Sequence, residues 1–126
     1  MVSAESSDGK PAHLAAGARA EGLAAEFLTS RGLTIIARNF RTRRGEIDLI
    51  ARDGMTLVFV EVRLRRNKSY GGAGASITAA KSKRLVAAAS VYLARLGREP
   101  PCRFDAVLLD GLDASRIAWE RDILSV

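Results

Sequence analysis

The sequence predicts an α/β domain: a mixed β-sheet flanked by helices, in the order α-β-β-β-α-β-β. Three observations predict it. Residues 46–64 hold two strand-like stretches around Asp53-Gly54, the strongest short hairpin signal in the chain. Two helical patterns, from His13 to Arg31 and from Ile77 to Leu96, stand before and after that hairpin. The second can return the chain parallel to the central strand, which a tight hairpin cannot do. The 126 residues fit one domain, and no linker or internal repeat divides them.

Residues 1–12 (MVSAESSDGKPA) are small and polar and read as a disordered tail, so the domain is expected over 13–126. Leu14, Ala18, Leu23, Ala24, Phe27 and Leu28 recur near the helical period and form one apolar stripe. Gly32 after Arg31 reads as the C-cap. Leu33 to Phe40 is rich in β-branched residues, a short strand. Arg41-Thr-Arg-Arg-Gly45 is a basic connection. Glu46 to Arg52 alternates charged and apolar residues, as a half-buried strand does. Thr56 to Leu64 is long and apolar, which argues for the middle of a sheet. Arg65 to Ala75 is a basic, Gly-rich loop. In the second helix Leu85, Ala88, Ala89, Tyr92, Leu93 and Leu96 share one face, and Gly97 with Pro100-Pro101 ends it. Arg103 to Leu109 is another strand, and Arg116 to Glu120 a last edge strand with a frayed or helical tail behind it.

Composition excludes several classes. Hydrophobic residues are 48% and charged residues 27%, so disorder over the whole length is ruled out. One cysteine, Cys102, cannot make a disulfide scaffold, and it reads as a buried apolar position. No apolar run approaches the ~18 residues of a membrane span. Met1 to Pro11 has no apolar stretch, so no secretory signal is expected and the cytoplasm is the expected compartment. His13 is the single histidine, which disfavours zinc and His-based nucleophile chemistry. Aromatic residues are 6%, too few for a base-stacking platform, although Tyr70 lies in the basic loop. Gly71-Gly-Ala-Gly74 matches no phosphate-binding fingerprint.

The net charge is +6, and it is unevenly spread. Arg38 to Arg98 holds fourteen basic and four acidic residues, whereas the two flanks together hold six basic and ten acidic. A basic middle on an acidic frame points to an anionic partner, nucleic acid first.

Asp48 and Glu61 are anomalous, because each lies inside an otherwise apolar strand. A buried carboxylate without a partner costs several kcal/mol. Side-chain parity groups Glu46, Asp48 and Ile50, and likewise Phe59, Glu61 and Arg63. A two-residue loop at Asp53-Gly54 sets Asp48 opposite Phe59, and a four-residue loop sets it opposite Glu61. Either register keeps Asp48, Glu61 and Arg63 on one side of the hairpin. Opposed carboxylates have Cβ atoms ~5 Å apart and destabilise each other. A divalent cation between them removes the repulsion, and two carboxylates with waters and substrate phosphate commonly hold Mg²⁺. An Arg63 bridge to one or both carboxylates is the alternative.

These residues resemble a known family. Gly45-Glu-Ile-Asp-Leu-Ile50, followed by Val58-Phe-Val-Glu-Val-Arg63, looks like the Asp-X(n)-Glu-X-Lys pattern of the PD-(D/E)XK nuclease superfamily. More narrowly the chain resembles the YraN family of small bacterial proteins, predicted endonucleases distantly similar to archaeal Holliday-junction resolvases. Gly17-Ala-Arg-Ala-Glu21, Ala24, Leu28, Arg38-Asn39, Arg41, Gly71, Lys81 and Arg103-Phe-Asp105 extend the likeness over nearly all of the ordered chain. The resemblance implies a restriction-endonuclease-like fold with Asp48 and Glu61 as ligands of Mg²⁺ or Mn²⁺. It implies the carbonyl of Val62 as a further ligand and Glu21 as an acidic group helping to hold the metal. At position 63 the chain departs from the pattern, since Arg replaces the usual Lys. A guanidinium cannot serve as a general base, but it can orient water or neutralise charge on a phosphate. Lys81 reads either as a solvated helix-end lysine or as an ammonium supplied from elsewhere.

Asp48 and Glu61 lie at the end of the hairpin away from its turn, and basic groups flank that end. Arg41, Arg43 and Arg44 precede one strand, and Arg65, Arg66 and Lys68 follow the other. Together with Lys81 they are the expected contacts to nucleic-acid phosphates, giving affinity without sequence readout. Three functions remain open at this point. One is a metal-dependent endonuclease on branched or structured DNA. The second is a nuclease-fold DNA-binding or accessory protein with weak or no turnover, which Arg63 favours. The third is an interaction factor whose basic face docks an acidic partner. A homodimer is expected by analogy with resolvases, which cut two strands symmetrically. Asp105, inside an apolar strand, is expected to pair with Arg103 or Arg38, and Trp119 to serve the core or a dimer contact.

Overall fold

A computed structural model describes residues 12–65 and 79–124. Its elements are α1 (Ala12–Ser30), β1 (Thr34–Arg41), β2 (Glu46–Asp53), β3 (Thr56–Arg65), α2 (Ala79–Leu96), β4 (Cys102–Asp110), a 3-10 turn (Ala114–Arg116) and β5 (Ile117–Glu120). The five strands form one sheet in sequential order, β1-β2-β3-β4-β5. All neighbours are antiparallel except β3 and β4, which α2 joins as a parallel pair. The mixed sheet and the order α-β-β-β-α-β-β match the sequence pattern, and β3 is its middle strand.

The two faces of the sheet explain why its centre reads as continuous apolar text. Ala20, Ala24, Ala25 and Leu28 of α1 cover one face, against Leu49, Ala51, Val58, Val60, Val107 and Leu109. Leu85, Ala88 and Ala89 of α2 cover the other, against Ile50, Leu57, Phe59 and Phe104. A strand buried on both sides cannot alternate with polar residues. Phe59 is fully buried, and such a side chain stabilises by roughly 1.5–3 kcal/mol. Its ring meets Phe104 at 5.4 Å and Tyr92 at 6.0 Å.

Three details differ from the sequence reading. The hairpin turn is Gly54-Met55, because Asp53 pairs with Thr56. Gly54 takes φ +62, which glycine adopts without strain, and Met55 is 83% exposed. Cys102 is exposed at the start of β4 rather than buried, since the strand enters the core only from Phe104 onward. The segment after β5 is neither frayed nor helical. Ile123 N–H donates to the carbonyl of Phe104 at 2.7 Å, and Ile123 and Leu124 pack against the α2 side of the sheet. The second helix is described only from Ala79, so Ile77 lies outside the described residues, as does the tail expected up to residue 11.

Asp105 is fully buried and clamps this end of the fold. It accepts from Arg103 Nε at 3.0 Å, from the Trp119 indole at 2.9 Å and from Asp122 N–H at 2.9 Å. Arg103 also bridges to Asp53 at 3.0 Å. Trp119 meets Phe27 of α1 edge-on at 6.2 Å, so it serves the core. Among the described residues, no helix is long and apolar enough to cross a membrane.

Candidate active site

The site begins where pairing between β2 and β3 stops. Their ladder runs from Asp53↔Thr56 to Leu49↔Val60 and goes no further. Beyond it the Asp48 carboxylate takes over, accepting the Val62 N–H through Oδ2 at 2.8 Å. This is the register in which Asp48 stands across from Glu61, the arrangement expected from a four-residue loop, reached here with a two-residue one.

The simple parity argument fails next to Asp48. Ile47 and Ile50 both pack on the α2 side, and so do their β1 partners Phe40 and Ala37. Residues three apart on a regular strand face opposite ways. Both strands therefore slip in phase between these pairs. Asn39 lies at the slip, opposite Asp48 in register and at φ +53. In consequence Asp48 is not grouped with Ile50 on one flat face. It lies in the opening between β2 and β3, next to groups from both helices.

Its surroundings are acidic. Burial pushes the Asp48 carboxyl up to about 7, with Glu61 raising it further and the Val62 N–H opposing. Glu21 and Glu46 also raise it. Glu21 comes from α1, where burial raises its own carboxyl and the neighbouring Asn39 and Asp48 oppose that rise. Glu21 does not line the cleft on the other side of Asp48. Glu61 points instead toward α2: Lys81 Nζ is 3.2 Å from its Oε2, and Arg63 Nε is 3.8 Å from the same oxygen. The second distance suits an ion pair and is too long for a hydrogen bond.

A cleft of about 570 Å³ opens over Asp48, Val62 and Glu61. Arg41, Arg43, Arg44, Arg63, Lys81 and Arg84 surround it, and among the described residues no aromatic side chain lines it. The β1–β2 loop is held as a tight turn. The Thr42 N–H and hydroxyl donate to the Gly45 carbonyl at 2.8 and 2.9 Å, and Thr42 Oγ1 accepts from the N–H groups of Arg44 and Gly45 at 3.1 Å each. The turn is pressed against α2, for a Cβ on Gly45 would fall 2.4 Å from the Arg84 carbonyl oxygen. Only glycine fits there.

Most of the expected site residues thus meet. Asp48, Glu61, Val62, Arg63, Arg41, Arg43, Arg44 and Lys81 share the cleft, and Glu21 stands behind Asp48. Arg66 and Lys68 lie outside the described residues, as do Tyr70, the Gly71–Gly74 run and the side chain of Arg65. Lys81 is not a solvated helix-end lysine, because its ammonium rests on Glu61. Four residues of the site were missed. Arg84 follows Lys81 by three residues, the spacing of one helix face. Thr42 and Gly45 build the turn. Asn39 had a signal of its own, since asparagine is depleted in strands and enriched at positive φ.

The donor set is oxygen-rich. Among the described residues no three His, Cys, Asp or Glu side chains come to metal-ligating spacing. Two carboxylates and a backbone carbonyl fit a hard cation that keeps several waters, such as Mg²⁺ or Mn²⁺. In an extended strand a residue's N–H and C=O point to the same edge. The Val62 carbonyl therefore faces the side on which its N–H meets Asp48.

Comparison with known proteins gives a family match. A family model described as "Uncharacterised protein family UPF0102" matches residues 20–109. A UPF0102 protein of Nitrosospira multiformis is 53% identical over 110 residues, covering 87% of this chain and 92% of the relative. One of Symbiobacterium thermophilum is 63% identical over 92 residues, covering 72% and 78%. One of Ralstonia nicotianae is 50% identical over 121 residues, covering 92% and 91%.

Proposed function

The chain belongs to the uncharacterised protein family UPF0102, and from that premise we propose that it is a metal-dependent endonuclease of the PD-(D/E)XK type acting on branched or structured DNA. The observation that carries this reading is the buried Asp48 in the fork between β2 and β3, next to Glu61 and under a rim of arginines. Burial and neighbouring carboxylates hold Asp48 partly protonated near neutral pH, and a divalent cation beside it would favour its ionised form.

Asp48, Glu61 and the Val62 carbonyl would hold the ion, with Glu21 behind Asp48 supporting it. Bound Mg²⁺ or Mn²⁺ supplies a water of lowered pKa and neutralises charge on the scissile phosphate. The chain's own groups do the rest. Arg63 stays cationic, so it orients water or phosphate oxygen and never removes a proton. Lys81 compensates Glu61 while no substrate is present. Arg41, Arg43, Arg44 and Arg84 grip backbone phosphates on both sides of the cleft. The cationic lining suits recognition of the nucleic-acid backbone by position and shape.

The ion pairs on Glu61 favour a second reading. Two cations already neutralise this carboxylate, which suits an accessory DNA-binding protein that keeps the fold and has lost turnover. Cleavage of a four-way junction in Mg²⁺ or Mn²⁺, comparing wild type with Glu61→Ala, separates them. Loss of cleavage in the variant supports the endonuclease. Salt-sensitive junction binding with no cleavage by either protein supports the accessory reading.

A further inference from the structure

We propose that Asn39 is a positioning residue for Asp48, and that its left-handed backbone turns that carboxylate out of the sheet toward Val62. The inference deepens the reading of Asp48 as the central site carboxylate. Asn39 lies in the middle of β1, where an extended backbone is the rule, yet it has φ +53. Such a conformation is disfavoured for residues with a Cβ, and asparagine tolerates it best among them. Strained backbone in a strand calls for a reason, and the register supplies one. Arg38 pairs with Leu49 and Phe40 with Ile47, so Asn39 stands across from Asp48.

The slip in phase has its centre at this pair. Ala37 and Phe40 lie on the α2 side, with Phe40 edge-on to Tyr92 at 5.3 Å. Between them Arg38 and Asn39 are exposed in succession, where alternation would expose only one. On β2, Ile47 and Ile50 follow their partners to the same side. Without the slip, Phe40 and Ile47 would turn away from α2, and Asp48 would take a regular place on one face. With it, Asp48 reaches the Val62 N–H at 2.8 Å. The Glu21 carboxyl of α1 is a neighbour of both Asn39 and Asp48.

The test uses the full chain without metal and reads the Val62 amide by NMR: its proton shift and hydrogen-exchange protection report the bond to Asp48. Asn39→Val, which disfavours positive φ, is expected to shift this resonance and speed its exchange roughly tenfold, while core amides such as Phe59 keep theirs. Asn39→Gly keeps the backbone state and is expected to preserve the Val62 signature. Asn39→Ala, milder than valine and safer for folding, is expected to fall between them. If the Val62 signature is unchanged in the valine and alanine variants, the proposal is overturned. It is also overturned if glycine disturbs Val62 as much as valine does. Mn²⁺ titration of the same variants, read as a shift in melting temperature, tests the metal reading separately. A wild type that ignores Mn²⁺ removes that reading, and the Val62 readout still decides the role of Asn39.

Discussion

Lys81 crosses from α2 to Glu61 of β3, its Nζ 3.2 Å from Oε2, and so ties the helix to the carboxylate at the mouth of the cleft. Both side chains are largely sheltered, at 29% and 12% exposed. The pair is therefore screened less than a surface ion pair. Lys81→Ala should lower stability by about 1–2 kcal/mol, leaving Glu61 with Arg63 as its nearer cation. The same change removes a competitor for Glu61, so Mn²⁺ should bind more tightly while any cleavage falls. Calorimetric titration of Mn²⁺ into both proteins checks this, and weaker binding by the variant would count against a metal at Glu61.

Asp48 predicts an inverted pH profile for the metal-free protein. Its folded-state carboxyl is raised from 3.8 to about 7, so the folded chain holds this proton more tightly than the unfolded chain does. The resulting stability is full below about 4 and is lost as pH rises through about 7. Melting in EDTA should reveal a loss of stability over that window. Asp48→Asn should flatten it, because the amide oxygen still accepts from Val62 and carries no charge. Mg²⁺ or Mn²⁺ should raise the wild-type midpoint more at pH 8 than at pH 5.5. Equal shifts at both pH values would show that the ion binds elsewhere.

Gly45→Ala places a methyl group against the carbonyl of Arg84, a backbone atom that cannot swing aside. Overpacking of this kind costs about 1–3 kcal/mol. The displaced turn carries Arg43 and Arg44, and α2 carries Arg84, so junction affinity should fall with stability. Retained affinity with an unchanged melting temperature would mean that the turn does not rest on the helix in solution.

Phosphate gripping has its own signature. Replacing both Arg43 and Arg44 by alanine should reduce the slope of log affinity against log salt by about 0.9 for each lost contact. The loss should be similar for unrelated DNA sequences. Filter binding at several salt concentrations measures it, and an unaltered slope would remove these two residues from the interface.

Asp105→Ala should be the most damaging change away from the cleft. It removes the acceptor shared by Arg103, Trp119 and Asp122 N–H, and leaves charge and donors buried. Breaking such a pair costs about 3–5 kcal/mol. The emission of Trp119, the chain's single tryptophan, should move at the same time. A stable variant with unaltered emission would contradict the clamp.

The order of elements was legible because it depends on local pattern. The apolar run of β3, the helical stripe of α2 and the Gly-bearing turn each carry their meaning within a few residues. Asp48 and Glu61 stood out for the same reason, as charges where burial was expected. Phase was harder to read. Parity holds only for unbroken strands, and the break at Asn39 depends on one residue's φ and on contacts across the sheet. The partner of Lys81 was likewise hidden, since it lies twenty positions away across a loop outside the described residues. Cys102 misled because cysteine is usually buried, while strand ends are exposed whatever their composition.

The early end of the β2–β3 ladder has a consequence for how the chain can change. The cleft exists only because zipping halts at Leu49 and Val60. Replacing Asp48 by valine would complete an unbroken aliphatic run from Ile47 to Ala51, in a strand already sealed on both sides. Every local preference would then favour closing the fork, and the gain in stability would come at the expense of the chamber. A sturdier protein without the cleft is therefore one substitution away, and the packing of the sheet itself would welcome the change.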